Sequence, residues 1–158
     1  VGQSQRHDLV EAAMATSWDV YPDLVERVNV LQALSERPFW EDLVIAVERT
    51  HNITKGYDGP DTVREDLLRE PEERRLHEVL REAEPRIAGL FRERRFAEGA
   101  QDYARTLGGP LHVFFDKVFV NVDDAALRAN RLALLRRANR LFSTALADLS
   151  RVVRPKTA

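Results

Sequence analysis

The stretch DDAALRANRLALLRRANRLFSTALADLSRV, residues 123–152, decides the fold class. On a helical wheel of about 100° per residue, Leu134, Leu135, Ala138, Leu141, Phe142, Ala145, Leu149 and Val152 join Leu127 in one apolar arc. That is the pattern of one long helix lying on a core. Arg136, Arg137, Arg140 and Arg151 fall on the opposite side, where solvated charge belongs. Arg131 falls in the middle of the apolar arc and Arg128 on its edge. A core-packing helix therefore opens by directing two guanidinium groups inward, and that needs a reason.

Upstream, helical signals follow one another between Gly and Pro punctuation. Residues 6–16 read as a short helix with Asp8 and Glu11 early in it. Pro22, a residue favoured at the first helical position, opens a second helix with Leu24, Val28 and Leu31 at helical intervals. Pro38 opens a third, with Phe39, Leu43, Ala46, Val47, Thr50 and Ile53 on its inner face. KGYDGPD, residues 55–61, stops it. From Pro71 a further helix buries Leu76, Val79, Leu80, Ala83, Ile87 and Leu90, and Pro85 should kink or divide it. Residues 96–107 read as a shorter helix, ended by Gly108-Gly109-Pro110. LHVFFDKVFVNV, residues 111–122, has strand-like Val and Phe content. It is read as a helix, because no other convincing strand exists to pair with it. The expectation is an all-α single domain over residues 1–158, a bundle of about seven or eight helices with its ordered core in about 6–153, ending in one long helix.

Composition narrows the function. The 158 residues are 44% hydrophobic and 32% charged, the profile of a folded, soluble chain. No apolar run approaches the roughly 18–20 residues of a membrane span, no signal-peptide pattern opens the chain, and there are no cysteines, so a cytoplasmic location is expected. Net charge is −2, but residues 1–90 hold 11 Lys/Arg against 19 Asp/Glu, a balance of −8, and residues 91–158 hold 13 against 7, a balance of +6. Such asymmetry permits an anionic partner on the C-terminal half. There is no glycine-rich phosphate loop, no HExxH and no GxSxG. His7, His51, His77 and His112 are scattered, and the Glu73 and Glu78 near His77 are ordinary helix-face charge rather than a metal site. The residue types point to a binding module without catalytic or metal-binding residues.

The segment from Pro110 through Ser150 resembles the C-terminal end of the β chain of bacterial glycyl-tRNA synthetases, whether two-chain or fused. The family pattern, an apolar P…FFD-x-V-x-V segment, an acidic turn, R-x-NRL-x-LL and a closing D-x-S, is matched by Pro110, Phe114, Phe115, Asp116, Val118, Val120, Asp123, Arg128, Asn130, Arg131, Leu132, Leu134, Leu135, Asp148 and Ser150. RHDLVEAAMA, ERTHNITK and LLREPEERRLHEVLREAEP resemble earlier family blocks in the same order, so the likeness spans roughly 6–153. Thr50 stands where the family usually has Val, and Phe119 and Asn121 where methionines are usual.

The resemblance implies a DALR-like anticodon-binding domain that grips the anticodon arm of glycine tRNA. The aminoacylation centre, using ATP and Mg, would lie in another portion of the synthetase, so this domain would need no cofactor. Its partners would be tRNA and the remainder of the synthetase, with no membrane and no DNA. Arg49 and Asn52 share a helical stripe with Ile45, and Lys55 follows at the helix end; all three are candidates for tRNA contact or for a solvated, capped face. Tyr57, in a glycine-flanked loop, is the candidate stacking side chain, and the Phe114–Phe115 pair reads as core. Arg128 and Asn130 are candidates for RNA contact, Arg128 equally for bracing. Arg131 is either a brace paired with Asp116, Asp123 or Asp124, since a buried guanidinium must be paired, or an RNA contact, and Asp116 is likewise structural or an RNA contact; Arg136, Arg137 and Arg140 read as solvated charge, with phosphate contact as the alternative. The alternative function is a non-catalytic helical protein–protein docking module, which would expose a contiguous apolar patch.

Overall fold

The computed structural model describes residues 7–14 and 21–146, and among these every regular element is helical. The elements are α1 (His7–Met14), α2 (Tyr21–Leu34), α3 (Trp40–Thr54), a single 3-10 turn (Glu65–Leu67), α4 (Pro71–Arg92), α5 (Phe96–Lys117) and α6 (Ala125–Ser143). Six α-helices among the described residues replace the expected seven or eight.

Helices expected to break account for the difference. Pro110 cannot donate to the Thr106 carbonyl and should end a helix, yet α5 runs through it. The residue before a proline is normally driven out of the α region by its own Cβ; here it is Gly109, which has none. Leu107, Leu111 and Phe114, spaced for one stripe, are all buried on either side of the interruption. Their packing carries the helix across the missing bond. Pro85 likewise sits on the exposed face of α4 without dividing it.

Residues 111–117 are helical as expected, but Val118 leaves α5 with extended backbone. Val118 and Val120 are buried while Phe119 between them is 83% exposed, a strand-like alternation in a segment with no strand beside it. The β propensity of Val-Phe-Val holds here after all. Asp124 then caps α6, accepting from the Ala126 and Leu127 amides at 3.0 and 3.1 Å. The regular helix stops at Ser143; Asp148, Leu149, Ser150, Arg151 and Val152 lie outside the described residues.

A continuous core joins all six helices, from Leu9 and Leu31 through Val44, Leu80, Leu107 and Leu134 to Phe142. The α4–α5 hairpin is closely packed at Gly99, where a Cβ would lie 2.6 Å from the Phe91 ring. Tyr103 of α5 donates to the Ala138 carbonyl of α6 at 2.6 Å. Asn139 of α6 donates to the Val47 carbonyl and to Thr50 Oγ1 at 3.0 and 3.1 Å, fixing α3 against α6. Ile53, expected inside, is exposed at the end of α3.

Candidate functional site

All five described arginines of α6 are engaged within the molecule. Arg131, buried, donates to the Phe119 carbonyl and to Glu73 Oε1 at 2.9 Å. Glu73 is itself fully buried, and its Oε1 also accepts the Glu70 amide at 3.0 Å in the capping box of α4. Arg131 is thus a brace, but its partner is Glu73 and not Asp116, Asp123 or Asp124. Asp116 instead sits exposed on α5, 3.7 Å from the His112 ring. Arg128 donates to the Val122 carbonyl at 2.8 Å. The two inward guanidinium groups therefore hold both ends of the extended segment between α5 and α6.

Asn130, expected to face RNA, is buried, accepting the Arg64 amide at 2.7 Å and donating to the Arg64 carbonyl at 3.0 Å. Both ends of its side chain serve as a clip for the strap formed by residues 55–64. One helical face further along, Arg136 donates to Asp61 and to the Tyr57 and Gly59 carbonyls. Its guanidinium lies 4.4 Å from the Tyr57 ring centroid, and the Tyr57 hydroxyl donates to the Pro60 carbonyl at 2.8 Å. Tyr57, expected to stack on a base, gives one ring face to Arg136. Arg140 reaches Asp61 at 2.6 Å, and Arg137 is bidentate on Glu84 at 2.8 and 3.0 Å. The outer-face arginines read as solvated charge are fasteners of the strap and of α4. Burial pushes the Asp61 carboxyl up, but the bonds from Arg136 and Arg140 outweigh it and hold the group below the ordinary carboxylate range.

Of the candidate residues, those without a hydrogen bond or ion pair of their side chains lie on α3. Arg49, Asn52 and Lys55 are exposed in a row toward its C-terminal end, and Asn52 and Lys55 have no side-chain partner among the described residues. The Arg49 guanidinium lies over Phe115, 4.2 Å from the ring centroid. The structure thus separates the candidates, with Arg49, Asn52 and Lys55 on α3 and Arg128, Asn130 and Arg131 committed to backbone on α6.

Beside Arg49 a groove of about 510 Å³ opens between α3 and α5. Two facing helical stripes form it: Asp42, Ile45, Ala46 and Arg49 from α3, and Gly108, His112 and Phe115 from α5. Nothing lies within 4 Å of where a Cβ on Gly108 or Gly109 would be, so the missing side chains leave the groove open. Sequence reasoning had missed both halves of the α5 stripe. Phe115 reads as core together with Phe114, but neighbours on a helix point about 100° apart, and only Phe114 is fully buried. The glycines, which read as a helix stop, lie inside α5. The signal was the i, i+4, i+7 spacing of Gly108, His112 and Phe115, visible only if one helix runs through Pro110.

Among the described residues no group of His, Asp or Glu is arranged to hold a metal ion, and no helix is long and apolar enough to cross a membrane. The family model of the DALR anticodon binding domain matches residues 43–150, which run from α3 through α6. The chain is similar to the glycine–tRNA ligase beta subunit of Trichlorobacter lovleyi, 37% identical over 152 residues, covering 96% of this chain and 22% of that protein. The same subunit of Anaeromyxobacter dehalogenans is 37% identical over 147 residues, covering 92% and 21%, and that of Myxococcus xanthus 37% over 158 residues, covering 96% and 22%. The chain spans about a fifth of the length of these curated relatives.

Proposed function

Because the chain belongs to the DALR anticodon-binding domain family, we propose that it grips the anticodon arm of glycine tRNA for a glycine–tRNA ligase. The ligase chemistry, with its ATP and Mg, belongs in this reading to the remainder of the synthetase, in the cytoplasm. No residue of this domain takes a catalytic role. The observation that carries the reading is the α3 row of Arg49, Asn52 and Lys55, exposed beside an open groove while the α6 arginines are spent internally.

Anticodon bases are unpaired, so they can be splayed out, stacked on aromatic or guanidinium planes and read on their edges. Phosphate contacts from Arg49 and Lys55 would fix register without carrying sequence information. Asn52, with both a donor and an acceptor on its amide, suits a base edge. RNA contact by Arg128 or Asn130 would require them to release the Val122 carbonyl or the Arg64 backbone, so they stand behind the α3 row as candidates.

The test is a titration of the chain with a glycine tRNA anticodon stem-loop at several salt concentrations. Affinity should fall with salt, and Arg49→Ala and Lys55→Ala should each flatten the log–log slope by about 0.7–1, the share of one released phosphate counterion. Affinity that ignores salt, or equal affinity for a plain duplex of the same length, would contradict the reading.

A docking role has one specific observation in its favour, the 83% exposed Phe119 on a braced segment. The other exposed large apolar residues among those described, Ile53 and Val113, sit on α3 and α5. Phe119 suits a contact with the rest of the synthetase alongside RNA binding.

A further inference from the structure

We infer that the α3–α5 groove is the seat of a single unpaired nucleobase, stacked at the Arg49–Phe115 pair and resting on the bare backbone of Gly108 and Gly109. This deepens the anticodon-arm reading and rests on it. The volume of about 510 Å³ lies within the roughly 300–1,000 Å³ of sites that enclose a drug-sized ligand. A base with its ribose is smaller than that, so the groove has room for it.

The chemistry of the walls matches a base and not an apolar helix. A base is apolar on its two faces and polar all round its edge. The groove has apolar depth from Leu43, Ala46 and Leu111, and at its rim a carboxylate, a guanidinium and an imidazole from Asp42, Arg49 and His112. Asp42 supplies an acceptor for an exocyclic amine or ring N–H, while Arg49 supplies donors for a carbonyl or ring nitrogen. Asp42 and Arg49 stand two turns apart on one face of α3, about 10 Å along its axis, so they flank a base seated between them. An apolar peptide would instead have to cover all three rim groups and pair them.

Arg49 is already pre-organised for this work. Phe115 seats its guanidinium over the ring, 4.2 Å from the centroid. A base entering the groove can lie against either member of that stack without ordering a long side chain, which keeps the entropic loss low. The glycines matter for the same reason: any side chain at position 108 would occupy the space the base needs.

The discriminating variant is Gly108→Leu. An added Cβ meets nothing within 4 Å, and leucine favours a helix more than glycine does, so the fold should be as stable or more so. Stem-loop affinity should nevertheless drop about tenfold or more, the scale of one lost stacked base, with the salt slope unchanged. Arg49→Lys, which keeps the charge but loses the plane, should lose affinity and keep its slope. A fluorescent base analogue at the seated position should be quenched by the unmodified chain and not by Gly108→Leu. Unchanged affinity and quenching in a folded Gly108→Leu chain would overturn the base seat and leave the anticodon reading standing. If that variant instead lost association with the remainder of the synthetase at unchanged RNA affinity, the groove would be a protein-docking site. An unmodified chain that binds no stem-loop would overturn both.

Discussion

At the scale of single residues, the inward arginines are the informative feature. Arg131 in an apolar arc signals a buried charge, and a buried charge needs a partner. The sequence shows that much, but the partner, Glu73, is 58 residues away and was hidden among helix-face glutamates. Nothing local distinguishes Glu73 from Glu72 except its place in the capping box of α4. Arg131→Met would strand the Glu73 carboxylate and should destabilise the fold by about 3–5 kcal/mol in chemical denaturation. Adding Glu73→Gln, which keeps an oxygen for the Glu70 amide, should recover part of the loss; a double variant worse than the sum of the singles would contradict the pairing. Asn130→Ala removes the clip on Arg64, whose surroundings are exposed, so the loss should be near 1 kcal/mol with little change in RNA affinity.

At the scale of elements, period and punctuation gave the helices, and proline gave the errors. Stripes such as Leu76, Val79, Leu80, Ala83 and Ile87 are all buried as their spacing implied. The break expected at Pro110 failed because packing on both sides outweighs one missing hydrogen bond, and because a glycine precedes the proline. The glycines of α5 then separate by environment. Gly99→Ala should destabilise, since its Cβ would strike the Phe91 ring, by about 1–3 kcal/mol. Gly108→Ala should stabilise by up to about 1 kcal/mol, having open space and better helix propensity.

The same hairpin carries a pH dependence. Asp102 is buried on α5 and held by Arg86 of α4 at 2.6 and 3.0 Å. Those bonds, reinforced by Arg105 and opposed by burial, keep its carboxyl below the ordinary carboxylate range. A depressed folded-state value means stability that is complete above the ordinary value near pH 4 and lost as pH falls below it. The urea midpoint of the unmodified chain should therefore exceed that of Asp102→Asn at neutral pH, with the gap closing below about pH 4. A constant gap down to strong acid would contradict the ion pair.

For the whole molecule, the charge asymmetry has an internal meaning that the sequence alone did not disclose. The basic C-terminal half is mated to the acidic N-terminal half through Arg131–Glu73, Arg136 and Arg140 with Asp61, and Arg137–Glu84. Much of the +6 balance that suggested an anionic partner is neutralised at home. Within the acidic half, α3 turns Arg49, Asn52 and Lys55 outward, next to a groove whose α5 wall reads in the sequence as a helix stop. The fold class and family were legible because apolar period and motif order are local properties. The site was only half legible, since pairing between distant halves decides which charges remain available.

Photo-crosslinking of the chain to glycine tRNA, with the attachment points mapped by mass spectrometry, tests that assignment most directly. Crosslinks from the anticodon loop should fall on the α3–α5 face, concentrated within residues 39–55 and 108–115. Crosslinks confined to α6 or to the 55–64 strap, with none on that face, would contradict it.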